Sequence, residues 1–128
     1  MDPETIKTEL ARLPNWGSPG IECGIRAGFR CEYCGRDLLA SLNDYKSWQQ
    51  DHLVPESLGG ANTFDNMVVA CHPCNAYKSD WDPRAVADSG ASREVLIEAA
   101  RNMIHELRQA DQAVLERVHE LVDWAPSD

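Results

Sequence analysis

Two Cys-x-x-Cys pairs, Cys31/Cys34 and Cys71/Cys74, constrain this chain more than any other feature. Within each pair one tight turn presents two thiolates to an ion, and two such turns complete a tetrahedron with sulfurs about 2.3 Å from a zinc. The 36 residues between the pairs exceed the gap of a simple ribbon, so the clamp encloses an inserted structure rather than a hairpin. A zinc ligated only by sulfur has no open position, which assigns the ion to folding and not to catalysis. His72, between two of the cysteines, is an alternative ligand. Cys23, alone among apolar and small residues, reads as a core thiol.

At 128 residues the chain has the size of one domain, and a chain of this length buries only about two-thirds of its unfolded surface. A metal staple therefore adds stability that the core alone supplies sparingly. Five cysteines form an odd set, and Met1-Asp2-Pro3-Glu4 is neither basic nor apolar, so a cytoplasmic protein without a disulfide framework is expected. No run of about 18 apolar residues is present to span a membrane. Charge runs against one class of function. Twelve Lys and Arg face 21 Asp and Glu, and four thiolates on one zinc add about two further negative charges. Residues 90–128 hold eight acids and four bases, and residues 1–89 hold 13 and eight, so the acidity is spread along the chain. Grip on a nucleic-acid backbone depends on Lys and Arg displacing counterions, and here it is expected to be weak and largely non-specific.

The chain reads as a single domain, 1–128, in three stretches. In residues 1–20, Asp2 followed by Pro3 caps a short helix carrying Ile6, Leu10 and Leu13, which gives way at Pro14 to a loop over Asn15–Gly20. Residues 21–83 are turn-rich, with strands expected at Gln49–Val54 and Met67–Ala70 and a helix from about His72 to Asp80 that tolerates Pro73 in its first turn. Residues 84–128 form a helical extension. From the N-cap Ser92 to about Val122, the positions Leu96, Ala100, Met103, Leu107, Ala110, Val114, Val118 and Leu121 keep helical spacing, as one helix or as two with a break near Ala110–Gln112. A continuous helix would reach roughly 45 Å, too long for so small a core to cover, which leaves part of it for self-association or a protein partner.

Between the cysteine pairs lie Asp51-His52-Leu53-Val54-Pro55, Gly59-Gly60 and Asn66; Asn75 follows Cys74 directly, with Lys78 one turn later. With Cys31-Glu32-Tyr33-Cys34-Gly35 and Cys71-His72-Pro73-Cys74-Asn75, this pattern over about Arg30–Ser79 resembles the HNH endonuclease family, in its four-cysteine zinc subgroup. The resemblance implies a small α+β fold: a ββα-metal core with a four-cysteine structural zinc, flanked by an N-terminal helix and a long C-terminal one. It also implies hydrolysis of phosphodiesters, usually in DNA. By that likeness His52 is the general base that activates water, Asn66 pins the loop and orients His52, and Asp51 with Asn75 ligate one divalent catalytic ion. The residue types suit the chemistry, which needs a nucleophilic water, an acceptor for its proton, and a cation against the charge developing on the phosphate. An imidazole titrates in the right range for the acceptor.

The family's third letter is often histidine; here it is Asn75, so both proposed ligands offer oxygen and Mg²⁺ or Mn²⁺ is favoured over Zn²⁺. Lys78 is the candidate phosphate contact, on one face with Asn75 in a first turn rich in free N–H groups. Arg26, Arg30, Arg36, Lys46 and Arg84 could line an approach path, although acids are interspersed among them. Trp16, Trp48, Trp81 and Trp124 are expected to pack, with no stacking platform of closely spaced aromatics visible. One geometric tension stands out. Neighbours on a strand point to opposite faces, so Asp51 and His52 share a site only where the strand ends or distorts. The competing reading is a zinc-stapled binding or scaffold module without activity.

Overall fold

In the structure, a computed structural model, residues 1–88 and 90–123 are described; Trp124 lies outside them. Helix α1 (Pro3–Leu10) starts where Asp2 accepts a hydrogen bond from the Thr5 amide, at 2.8 Å. Helix α2 (Ser18–Ala27) takes the last three residues of the expected loop over Asn15–Gly20 and runs on into the stretch expected to be turn-rich. Its markers were a proline in the first turn, Pro19, and a left-handed glycine after the end, Gly28 at φ 64°. Two internal glycines, each worth about 1 kcal/mol against a helix, masked them. Packing decides the matter: Ile21 and Cys23 are buried, and a Cβ on Gly24 would stand 2.6 Å from the Phe29 ring.

Helix α3 (Leu42–Ser47), capped by Ser41, leads into β1 (Gln49–His52). Strand β1 pairs antiparallel with β2 (Met67–Ala70), with Asp51 opposite Val68 and His52 opposite Met67. Val68, Val69 and Ala70 are all buried, a continuous apolar strand between helices, and α4 (His72–Lys78) follows with Pro73 in its first turn. The expected strand–strand–helix order is thus present, with β1 ending at His52 rather than Val54 and α4 ending two residues early.

Helix α5 (Arg93–Val122) is unbroken and begins where Ser92 Oγ accepts from the Val95 amide. Its first half closes the core through Ile97, Ala100 and Ile104, packed with Cys31, Tyr33, Leu38, Leu53, the β2 residues, Cys71 and Cys74. From Leu107 onward the stripe loses its cover: Leu107, Val114, Leu115, Val118 and Leu121 are exposed. The architecture is a small α+β fold in which a two-stranded sheet, several helices and four convergent cysteines share one core. No helix among the described residues is long and apolar enough to cross a membrane.

Candidate active site

The cysteines organise everything near the sheet. Cys31 and Cys34 occupy the turn after α2, Cys71 caps α4, and Cys74 lies in that helix's first turn. The four sulfurs lie within 4.8 Å of one another, with Cys34 and Cys71 Sγ 3.7 Å apart. A tetrahedron of 2.3 Å radius has an edge of about 3.8 Å, so the set fits a zinc-sized ion. The thiols also show how crowded the sulfurs are. Hydrogen bonds from Cys71 and Cys74 hold the Cys31 thiol far below its ordinary value, and the same bonds to Cys31 hold those two donors up. A divalent ion would replace such shared protons. Arg108 of α5 brings a guanidinium to 3.2 Å from Cys74 Sγ and 3.7 Å from Cys71 Sγ, a cation set against the sulfur cluster. His72 is exposed and stands outside the four-sulfur group.

Strand β1 ends at His52, and the tension between neighbours stands, because alternation sends Asp51 and His52 to opposite faces. On one face Asp51 Oδ2 accepts from the Tyr33 hydroxyl at 2.9 Å and faces Lys78 Nζ at 3.5 Å. Burial and the nearby Asp51 charge push the Tyr33 phenol well above its usual range, so it stays a donor. Gln49, two residues before Asp51 and so on the same face, accepts from Asn75 Nδ2 of α4. On the other face His52 Nε2 lies 3.2 Å from Asn62 Oδ1 and 3.0 Å from a Glu56 carboxylate oxygen. Two acceptors at one ring nitrogen favour a proton on Nε2 and a lone pair on Nδ1.

The three side chains therefore share a pattern. Each has one polar atom tied to the protein and a second with no partner among the described residues: Oδ1 of Asp51, Oδ1 of Asn75 and Nδ1 of His52. The only buried side-chain polar atoms left unpartnered among the described residues are Arg26 Nε and Arg108 Nε, so none of these three free atoms is sealed from solvent.

Asn66 sits at the turn into β2, and its amide spans the loop that follows His52. Its Oδ1 accepts from the Val54 amide at 2.9 Å, and its Nδ2 donates to the carbonyls of Val54 (2.9 Å) and Ala61 (2.7 Å). Gly60 closes the loop by an approach no side chain can make: a Cβ there would lie 1.8 Å from the Val54 carbonyl oxygen and 2.9 Å from that of Pro55. Both obstacles are backbone, and Asn66 holds one of them in place. Gly60→Ala is thus expected to force the loop open and lower stability by on the order of 1–3 kcal/mol, as overpacking does. A thermal melt beside the unsubstituted chain measures it; an unchanged midpoint would contradict the tight loop.

Lys78 departs from its expected place. Instead of facing solvent beside Asn75 it is fully buried, donating to the His52 carbonyl at 3.2 Å and facing Asp51. Burial holds its ammonium below the usual lysine range, opposed by the Asp51 charge. The cause is helical phase. Lys78 lies four residues after Cys74, on the face that the buried sulfur turns inward, and so it offers no surface to a phosphate. The Asn75 amide is not free either; it donates to the Cys71 carbonyl at 3.0 Å.

The arginines expected along an approach path are mostly engaged. Arg26 pairs with Glu32 and donates to the Phe64 and Met67 carbonyls, Arg36 pairs with Asp44, and Arg84 with Asp82. The aromatics, scattered in sequence, do converge in space. Trp16 packs against Phe29, Tyr45 and Trp48 with ring centroids 5.8, 6.2 and 5.9 Å away. Tyr33, Gln49, Glu56 and Asn62 are contacts of the site that sequence reasoning missed. Gln49 alone carried a local signal, its alternation with Asp51.

Comparison with known proteins adds the last observation. Residues 31–80 match the family model for HNH endonuclease. The chain is 30% identical over 125 residues to the CRISPR-associated endonuclease Cas9 of Corynebacterium diphtheriae, an alignment covering 88% of this chain and 11% of that protein. It is 41% identical over 46 residues to the type IV methyl-directed restriction enzyme EcoKMcrA of Escherichia coli, covering 35% of this chain and 17% of that one. The chain thus spans well under a fifth of either relative's length. Cysteine clamp, two-stranded sheet and following helix all fall within the matched segment, and residues 31–80 are an HNH endonuclease domain.

Proposed function

We propose that this chain is a metal-dependent endonuclease that hydrolyses phosphodiester bonds in DNA, with His52 as general base and one divalent ion held by Asp51 and Asn75. The observation that carries the reading is the shared pattern of the three side chains, each anchored through one atom and open at the other. Tyr33 and Lys78 hold Oδ2 of Asp51, which leaves Oδ1 for a cation. Gln49 fixes the Asn75 amide so that its oxygen is the open atom. Glu56 and Asn62 orient the imidazole so that Nδ1 accepts the proton of an attacking water. Asn66, by fastening Val54 and Ala61, keeps the loop that carries Glu56 and Asn62 against His52.

The opposed directions of Asp51 and His52 suit in-line displacement, in which the attacking water and the leaving oxygen lie on opposite sides of phosphorus. A phosphate laid across the end of β1 would meet His52 from one side and the carboxylate from the other. When bound, the ion neutralises charge developing on the phosphate and the leaving oxygen. Two oxygen ligands leave it most of its coordination sphere, as Mg²⁺ and Mn²⁺ prefer, while the four cysteines hold a structural zinc. The relatives are named as an endonuclease and a restriction enzyme, which supports DNA as the substrate. A formal charge of −9, with the nearby arginines paired, limits the affinity this chain contributes by itself.

The test is a plasmid-nicking assay with purified, zinc-loaded protein. Nicking is expected with Mg²⁺ or Mn²⁺ and little with added Zn²⁺, because the ligands are both oxygen. The reverse order would refute the ligand assignment. No cleavage with any of them would leave a zinc-stapled scaffold as the reading.

A further inference from the structure

We infer that Tyr33, inside the first cysteine knuckle, is a positioning residue for the catalytic ion: its hydroxyl holds Oδ2 of Asp51 and so fixes which carboxylate oxygen meets the metal. The inference rests on Asp51 being a ligand of that ion, and it gives the zinc clamp a second task.

Tyr33 lies between Cys31 and Cys34, and the turn that aims their sulfurs at the ion also turns the phenol inward, where it is 6% exposed. The knuckle is itself fixed from two sides. The Glu32 amide donates to the Val69 carbonyl at 2.8 Å, beside the sheet, and Arg101 of α5 donates to the Glu32 carbonyl at 2.8 Å. The Glu32 carboxylate accepts from the Val69 amide at 2.7 Å and pairs with Arg26 and Arg93. Its neighbour therefore has little freedom to move. From that fixed turn the hydroxyl reaches Asp51 Oδ2 at 2.9 Å, the same oxygen that faces Lys78 at 3.5 Å.

Two donors on one carboxylate oxygen and none on the other make an asymmetric ligand. Oδ2 is spent on the protein, and Oδ1 is presented to a cation through one oxygen in a set direction. A carboxylate without the phenol keeps its charge but loses this fixed orientation. Outer partners of this kind matter at metal centres, where removing one typically costs 10- to 100-fold in metal affinity or activity. Losing the zinc would release the same hydroxyl, so the structural ion and the catalytic ion are coupled through one side chain.

Tyr33→Phe removes the hydroxyl and keeps the ring that packs in the core. Mn²⁺ binding to zinc-loaded protein, followed by electron paramagnetic resonance, is expected to show a dissociation constant about 10-fold or more above that of the unsubstituted chain. The Mn²⁺ concentration needed for half-maximal nicking should rise in parallel, with the rate largely recovering at saturating metal. Zinc content and melting temperature, measured on the same samples, separate a positioning role from a structural one. An unchanged Mn²⁺ affinity per zinc-loaded chain overturns the proposal, even if the variant melts earlier. Asp51→Ala is the companion variant: undiminished Mn²⁺ binding there would remove the ligand assignment itself, a failure distinct from that of Tyr33.

Discussion

Cys74→Ala is expected to abolish the cooperative unfolding of this chain. The four sulfurs lie within 4.8 Å of one another, close enough to share one zinc-sized ion, and Cys31, Cys71 and Cys74 are themselves buried members of the only sizeable apolar cluster among the described residues. Structural zinc contributes an apparent 10–16 kcal/mol or so of binding free energy to small domains at neutral pH. A domain's whole stability is about 5–15 kcal/mol. Losing the ion therefore removes as much free energy as the fold has to lose. The remaining elements offer no substitute, because each strand has four residues and a two-stranded sheet is marginal alone. Calorimetry should show no sharp transition for Cys74→Ala, and metal analysis no bound zinc. Residual helicity from α5 would not rescue the sheet. A metal-free variant that still melted sharply, within a few degrees of the parent chain, would show that the apolar core suffices.

The second large effect is expected in activity rather than stability. His52→Ala should reduce nicking by roughly 10²- to 10⁴-fold, the usual contribution of a general base. Its zinc content and melting temperature should stay near those of the parent chain, because the imidazole is partly exposed and its partners, Asn62 and Glu56, lie in an exposed loop. The contrast with Cys74→Ala is the informative part: one variant loses the fold and the other loses only the chemistry. Nicking by His52→Ala at the parent rate would assign the proton to some other acceptor.

Much of the fold was legible because its signals are local. Cys-x-x-Cys spacing is a statement about one turn, and the apolar positions from Leu96 to Leu121 mark one helical face without reference to any neighbour. Ser92, Pro73 and the Met67–Ala70 run each announced an element through its own residues. Helix α2 was lost because its glycines oppose a helix locally, and only the packing of Gly24 against Phe29 explains why one sits there. The exposed second half of α5 was foreseeable from length alone, since the helix outruns the core.

The sequence by itself determined the sulfur clamp, the order of strands and helix, and the identities of the polar residues delivered to the end of β1. Tertiary structure decided which way those residues face. Charge and spacing make Lys78 a candidate phosphate contact, and the phase that Cys74 imposes on α4 buries it instead. Tyr33 and Asn62 meet Asp51 and His52 across 18 and 10 residues of chain, and those contacts settle which atom of each side chain is left open. A sequence pattern records spacing along the backbone, whereas the free valence of a carboxylate or an imidazole is fixed by hydrogen bonds from residues that only folding brings near.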